Sequence, residues 1–178
     1  MINKQRWGFI AISILCLLNS FIASGAETGN RFVDFSLEDP QAKKYSQSDM
    51  EGKITLVVLQ SRTTLQTAVD CKTQLKSFAQ DNQKVQMIAI MDLRQRPSLA
   101  PKFAIKKKIS SQDPTSKEFP FLLDWEGAVT KALGGEDSKC IVLIVDPALN
   151  VVYKQEYKQA GIDRERKPLL DKLSGGQK

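Results

Sequence analysis

GKITLVVLQSRTTLQTAVDCKTQLKSF, residues Gly52 to Phe78, is the stretch that decides the fold. It opens on an apolar, β-branched run from Ile54 to Leu59, bounded by Gly52-Lys53 and by the polar Gln60-Ser61-Arg62. That is the pattern of a strand buried on both faces. Beyond it, Thr64, Ala68, Cys71, Leu75 and Phe78 recur in steps of four, three, four and three, so they share one face of a helix running from about Leu65 to Ala79. A buried strand feeding an amphipathic helix through a short polar turn sets that turn at the carboxyl end of the strand, where α/β proteins place their chemistry. The turn holds Ser61, Arg62, Thr63 and Thr64, with no cysteine, histidine or carboxylate.

Outward from this unit the chain supplies partners for the strand. Val85 to Met91 is a second apolar run, and Phe119 to Asp124 predicts a short strand. Ala128 to Leu133 predicts a short helix stopped by Gly134-Gly135, and Ile141 to Val145 with Val151 to Tyr157 predicts a hairpin turning at Asp146 to Asn150. Upstream, RFVDFSL from Arg31 to Leu37 alternates like a half-buried strand, and Gln41 to Glu51 reads as a loop or short helical turn. Leu93 to Glu118 is polar apart from one helical pattern, Leu99-Phe103-Ile105-Ile109, and Asp163 to Leu173 predicts a final helix.

The 178 residues are enough for one domain with a core. Lys4 and Arg6, the apolar Trp7 to Leu18 and the small residues Ala23-Ser24-Gly25-Ala26 read as a secretory signal over residues 1–26. The expected domain then spans 27–178 in an exported protein, periplasmic or extracellular, touching a membrane only if the signal is retained. Cys16 leaves with the signal, and removing Lys4 and Arg6 lowers the net charge from +6 to +4. Two cysteines, Cys71 and Cys140, remain in a compartment that permits a disulfide. No histidine is present, which removes Ser-His-Asp and Cys-His nucleophiles and the commonest zinc sites. No cofactor or metal is expected. Asp92, Asp124 and Asp146 at strand ends read as solvated turn acids rather than a cation site.

The order of elements resembles the thioredoxin-like superfamily in its redoxin and exported branch. Gly52 to Val58, Phe121-Leu122-Leu123-Asp124 with Gly127, and Ile141 to Asp146 with Val151-Val152 carry the likeness. A narrower resemblance, to the exported YtfJ family, rests on Glu27 to Arg31 and on Val58-Leu59-Gln60 with Arg62-Thr63. The resemblance implies an α/β fold with a central mixed sheet flanked by helices and an extra N-terminal strand. It also implies a C-x-x-C at the helix start, where this chain has Thr64-Leu65-Gln66-Thr67, so the active site is degenerate. A threonine hydroxyl has neither the acidity nor the redox chemistry of a thiol. The family's cis-proline position falls at Cys140.

Cys71, two turns into the helix on its apolar face, reads as a core cysteine. Cys140 is open to two further readings, a lone reactive thiol or a bridge to Cys71. The bridge needs Cα atoms within about 7 Å, whereas Cys71 lies roughly 10 Å down the helix from its start. Arg62 invites comparison with the arginine of peroxiredoxins, but without a peroxidatic cysteine it reads as a solvated or ion-paired side chain. Lys106-Lys107-Lys108 is a weak candidate for an anionic surface, and nucleic acid is not expected. The expectation is a binding or assembly module that takes a protein or peptide at Ser61, Arg62, Thr63, Thr64, Lys139 and Cys140. The alternative is an oxidoreductase or peroxide-handling protein with Cys140 and Cys71 as its catalytic thiols.

Overall fold

The run from Ile54 is a strand hydrogen-bonded on both sides. In a computed structural model that describes residues 27–81 and 83–157, its seven residues alternate between two buried layers. The chain forms β1 (Ser36–Glu38), β2 (Lys44–Ser46), β3 (Ile54–Gln60), α1 (Leu65–Asp81), β4 (Val85–Asp92) and α2 (Lys102–Gln112). β5 (Phe121–Asp124), α3 (Ala128–Ala132), β6 (Cys140–Val145) and β7 (Val151–Tyr157) follow. The seven strands make one sheet in the order β2-β1-β5-β4-β3-β6-β7. β3, β4 and β5 are parallel, while β6, β7, β1 and β2 pair antiparallel with their neighbours. The sheet is therefore mixed, with β3 and β4 central, as the resemblance implied. The expected signal at 1–26 and the final helix Asp163 to Leu173 lie outside the described residues, as do Asn82 and the side chain of Phe78.

Period-two alternation assigns the layers. Val57 and Leu59 join Ile88, Ile90, Leu122, Ile141 and Leu143 on one face, covered by α3 and the N-terminal segment. Leu56 and Val58 join Val142 and Ile144 on the other, where Ala68, Cys71 and Leu75 of α1 seat. Met91, Phe121 and Leu123 continue that second layer under Ile105 and Ile109 of α2. Both faces being covered explains why the central strands are continuous apolar runs.

Three expectations are corrected. Arg31 to Leu37 is not one strand: β1 begins at Ser36, and Arg31 makes only an isolated bridge to Asn150. The buried residues here are Phe32 and Phe35, three apart, whose rings meet edge to face at 6.0 Å. The segment crosses the sheet as a plug rather than alternating along its edge. Within Gln41 to Glu51, Lys44–Ser46 forms a second edge strand and Gln47–Met50 a 3-10 turn. In the polar region only Ile105 and Ile109 of the expected four pack inward, since Leu99 and Phe103 are 97% and 74% exposed.

One buried pair was not foreseen. Lys72, on α1 beside the apolar stripe, sends its ammonium over the Phe121 ring to an ion pair with Asp113 just beyond α2, both side chains at most 1% exposed. Asp113 also accepts from the amide and hydroxyl of Thr115. Burial holds the lysine below its ordinary 10.5, and the Asp113 hydrogen bond and charge offset this only in part. Lys72 stands four residues after Ala68 and three before Leu75; a lysine at that spacing was the readable sign.

Candidate functional site

The turn after β3 folds back on itself through its hydroxyls. The Ser61 amide donates to Thr64 Oγ1 at 2.9 Å, and the amides of Thr63 and Thr64 donate to Ser61 Oγ at 3.2 and 3.4 Å. Short hydroxyl side chains at this position satisfy amides that a helix start leaves unpaired. Ser61 Oγ in turn donates to the Asp137 carbonyl at 2.6 Å, and Thr63 Oγ1 donates to the same carbonyl. Asp137 lies in the loop entering β6, the strand hydrogen-bonded to β3 from Leu59↔Ile141 onward. The expected juxtaposition of turn and loop is present, and it is tied shut by hydroxyl-to-carbonyl bonds.

Ser61 and Thr64 are buried, whereas Arg62 and Thr63 are exposed. Thr63, Thr64 and Thr67 with Glu136, Asp137 and Ser138 line a cleft of about 380 Å³ at the position of the expected dithiol. Lys139 bonds Glu136 at 2.9 Å and Glu156 at 3.0 Å, and these partners raise its pKa above the ordinary 10.5. On the other side of β3, Arg62 and Leu65 contribute to a second cleft of about 330 Å³ walled by α2. Sequence reasoning set Thr67 at the C-x-x-C position without counting it in the binding surface, and it missed the Asp137 carbonyl and this second cleft; a backbone acceptor leaves no trace in side-chain chemistry.

Cys71 is the core cysteine expected, and Cys140 departs from expectation. Cys140 is not on the surface of the loop: it is the first residue of β6, paired with Tyr157 of β7 and 0% exposed. Ladder alternation turns its side chain toward α1, into the same apolar cluster as Cys71, which is 2% exposed. The neighbouring Cys71 thiol and burial raise Cys140 far above its ordinary 9.0 against the opposing charge of Lys72. Both are free thiols. No bridge joins them, as the spacing argument expected, but that argument measured Cys71 from the helix start and did not foresee that Cys140, in the sheet beneath the helix, shares its cluster. No peptide bond among the described residues is cis, the one entering Cys140 included.

The strand-end carboxylates serve separate structural tasks instead of standing solvated together. Asp92, 6% exposed, pairs with Arg94 at 2.6 Å, Asp124 accepts from the amide and hydroxyl of Thr130, and Asp146 closes the β6–β7 turn on Ala148 and Asn150. Lys106 is bound to Glu38 at 3.0 Å, and this hydrogen bond holds the carboxylate below its ordinary value. Lys107 and Lys108 are exposed, and Lys108 lines the second cleft.

Solved structures share the architecture at low identity. A candidate thiol:disulfide interchange protein DsbE from Chlorobium tepidum superposes with a TM-score of 0.63 at 15% identity, over 84% of this chain and 99% of that one. AhpC of Mycobacterium tuberculosis gives 0.60 at 16%, over 86% and 94%. The exposed lipoprotein thioredoxin Etrx1 of Streptococcus pneumoniae strain TIGR4 gives 0.57 at 16%, over 80% and 99%. No curated protein matches the chain. Among the described residues no helix is long and apolar enough to cross a membrane. These likenesses show a thioredoxin-like fold, and the AhpC/TSA family model matches residues 28–157, from the N-terminal segment to the end of β7, so the chain belongs to the AhpC/TSA family.

Proposed function

We propose that this chain is an exported, non-catalytic binding module of its family, with a signal at residues 1–26 and one domain over 27–178. The observation carrying this reading is the closed hydroxyl network at the start of α1. Where dithiol exchange needs an exposed sulfur, Ser61 and Thr63 are spent on the Asp137 carbonyl. Both cysteines lie beneath the surface, and the neighbouring Cys71 together with burial keeps Cys140 protonated. Thiol exchange proceeds through the thiolate and needs access. The binding surface is the 380 Å³ cleft formed by Thr63, Thr64 and Thr67 against Glu136 to Ser138, bordered by Lys139, with a protein or peptide segment as its partner.

The oxidoreductase alternative draws support from the seating of Cys71 and Cys140 in one buried cluster. Counting thiols discriminates the two. The binding module resists alkylation while folded, yields two reactive thiols among Cys71 and Cys140 on denaturation, and gives no turnover with insulin and dithiothreitol or with hydrogen peroxide. Catalytic turnover, or reversible loss of both thiols in the folded protein under mild peroxide, would sink the module in favour of the alternative.

A further inference from the structure

We infer that the cleft between the start of α1 and α2 binds a single-chain acyl carboxylate, its chain in the cleft and its carboxylate on Arg62, Arg96 and Lys108. The floor is apolar: Met91 and Leu93 at the carboxyl end of β4, with Ile105 and Ile109 of α2, bound a space of about 330 Å³. That volume lies in the range of small-molecule pockets. Its charged residues are three cations, with no carboxylate among the lining side chains. Arg96 is held in place by bonds to the Leu93 and Trp125 carbonyls and by Glu126, and its planar guanidinium suits a carboxylate. Neither Arg62 nor Lys108 takes part in an ion pair among the described residues.

Charge complementarity thus calls for an anion, and the apolar floor calls for a hydrocarbon attached to it. An acyl chain fits better than a peptide terminus. A peptide would bring backbone amides and carbonyls against an aliphatic floor that cannot satisfy them, and burying such groups unpaired is costly. An unbranched chain brings none. This site lies on the β4 side of β3, away from the Thr67 cleft on the β6 side, so it extends the binding role without resting on the Thr67 cleft being occupied.

The test is calorimetric titration of the purified protein with octanoate, decanoate and dodecanoate below their micelle concentrations. Affinity rises roughly four-fold per methylene until the cleft is full. Methyl dodecanoate and dodecylamine bind at least ten-fold more weakly than dodecanoate. The exposed-site variant Arg62→Glu/Lys108→Glu loses at least ten-fold, and Ala104→Trp, which fills the cleft, abolishes binding while circular dichroism stays unchanged. Undetectable dodecanoate binding, equal affinity for acid and ester, or indifference to the charge reversal overturns the proposal. A peptide ending in Leu-Leu with a free carboxylate that binds as tightly as dodecanoate overturns the acyl assignment. The non-catalytic reading fails on turnover instead, so the two fail separately.

Discussion

Replacing Lys72 by methionine isolates the buried ion pair. The two partners are at most 1% exposed, and removing one member of such a pair costs about 3–5 kcal/mol, because the other is left charged and uncompensated. In Lys72→Met the carboxylate of Asp113 keeps its two bonds from Thr115, so the penalty belongs at the lower end, about 3 kcal/mol. Asp113→Ala is worse. It strands the ammonium over the Phe121 ring and removes the side-chain cap of the Pro114–Lys117 turn, adding about 1 kcal/mol for the cap. Urea denaturation followed by circular dichroism reads both: at a slope of about 2 kcal/mol per molar, Lys72→Met lowers the midpoint by roughly 1.5 M. In the double variant Lys72→Met/Asp113→Ala neither charge is stranded, so its loss is smaller than the sum of the singles by about 2 kcal/mol or more. A Lys72→Met loss under about 1 kcal/mol, or strict additivity in the double, would refute the coupling.

Three other outcomes follow from the geometry. Ser61→Ala removes the acceptor of two amides and a donor to Asp137, and it destabilises by about 1–2 kcal/mol in the same denaturation assay; no measurable loss would mean that water replaces the network. Gly127→Ala forces a side chain onto φ +68° and brings its Cβ within 2.2 Å of the Arg94 side chain, costing about 1–3 kcal/mol; wild-type stability would contradict the tight approach. Cys140 carries the alkaline dependence. Its folded pKa is raised above the ordinary 9.0, so at higher pH the unfolded chain releases a proton that the folded chain keeps. That contribution to stability is complete below pH 9 and declines above it, by up to about 1.4 kcal/mol per pH unit. Lys72, lowered from 10.5 by burial, pushes the other way below that value, so the readout is the difference between wild type and Cys140→Ala. The alkaline decline is shallower in the variant, and identical pH slopes would refute it.

Legibility in the sequence tracked how local the cause was. The strand at Ile54 to Leu59 and the helix after it are set by runs and spacings within a few residues, and both stand where those patterns put them. Lys44–Ser46 was missed because an edge strand of three residues, none of them fully buried, has no apolar alternation to read. Arg31 to Leu37 was over-read because its two phenylalanines are governed by the face they plug rather than by a strand of their own. At the site, the absence of cysteine at Thr64 and Thr67 is read directly from the sequence. The meeting of Cys71 with Cys140 is not, since it depends on where β6 enters the sheet and on which of its alternate residues turn toward α1.

The hydroxyls and the buried thiols bear on one another through the loop that enters β6. A thiol site at the start of α1 must let that loop admit a disulfide partner, and so cannot fasten it with short bonds from the turn. Here the loop is fastened twice to the turn through the Asp137 carbonyl, and Lys139 is held to Glu136 and Glu156. Those bonds sit at the entry of the strand that carries Cys140, whose sulfur lies under α1. Freeing the loop would be the first requirement for thiol chemistry. Ser61→Ala/Thr63→Ala is therefore the variant in which Cys140 should gain reactivity: iodoacetamide labels it at least several-fold faster than in the wild type, while the urea midpoint shows that global unfolding remains too rare to account for the rate. If labelling instead tracks the global unfolding equilibrium alone, the loop does not gate the thiol, and burial under the helix is the whole of its protection.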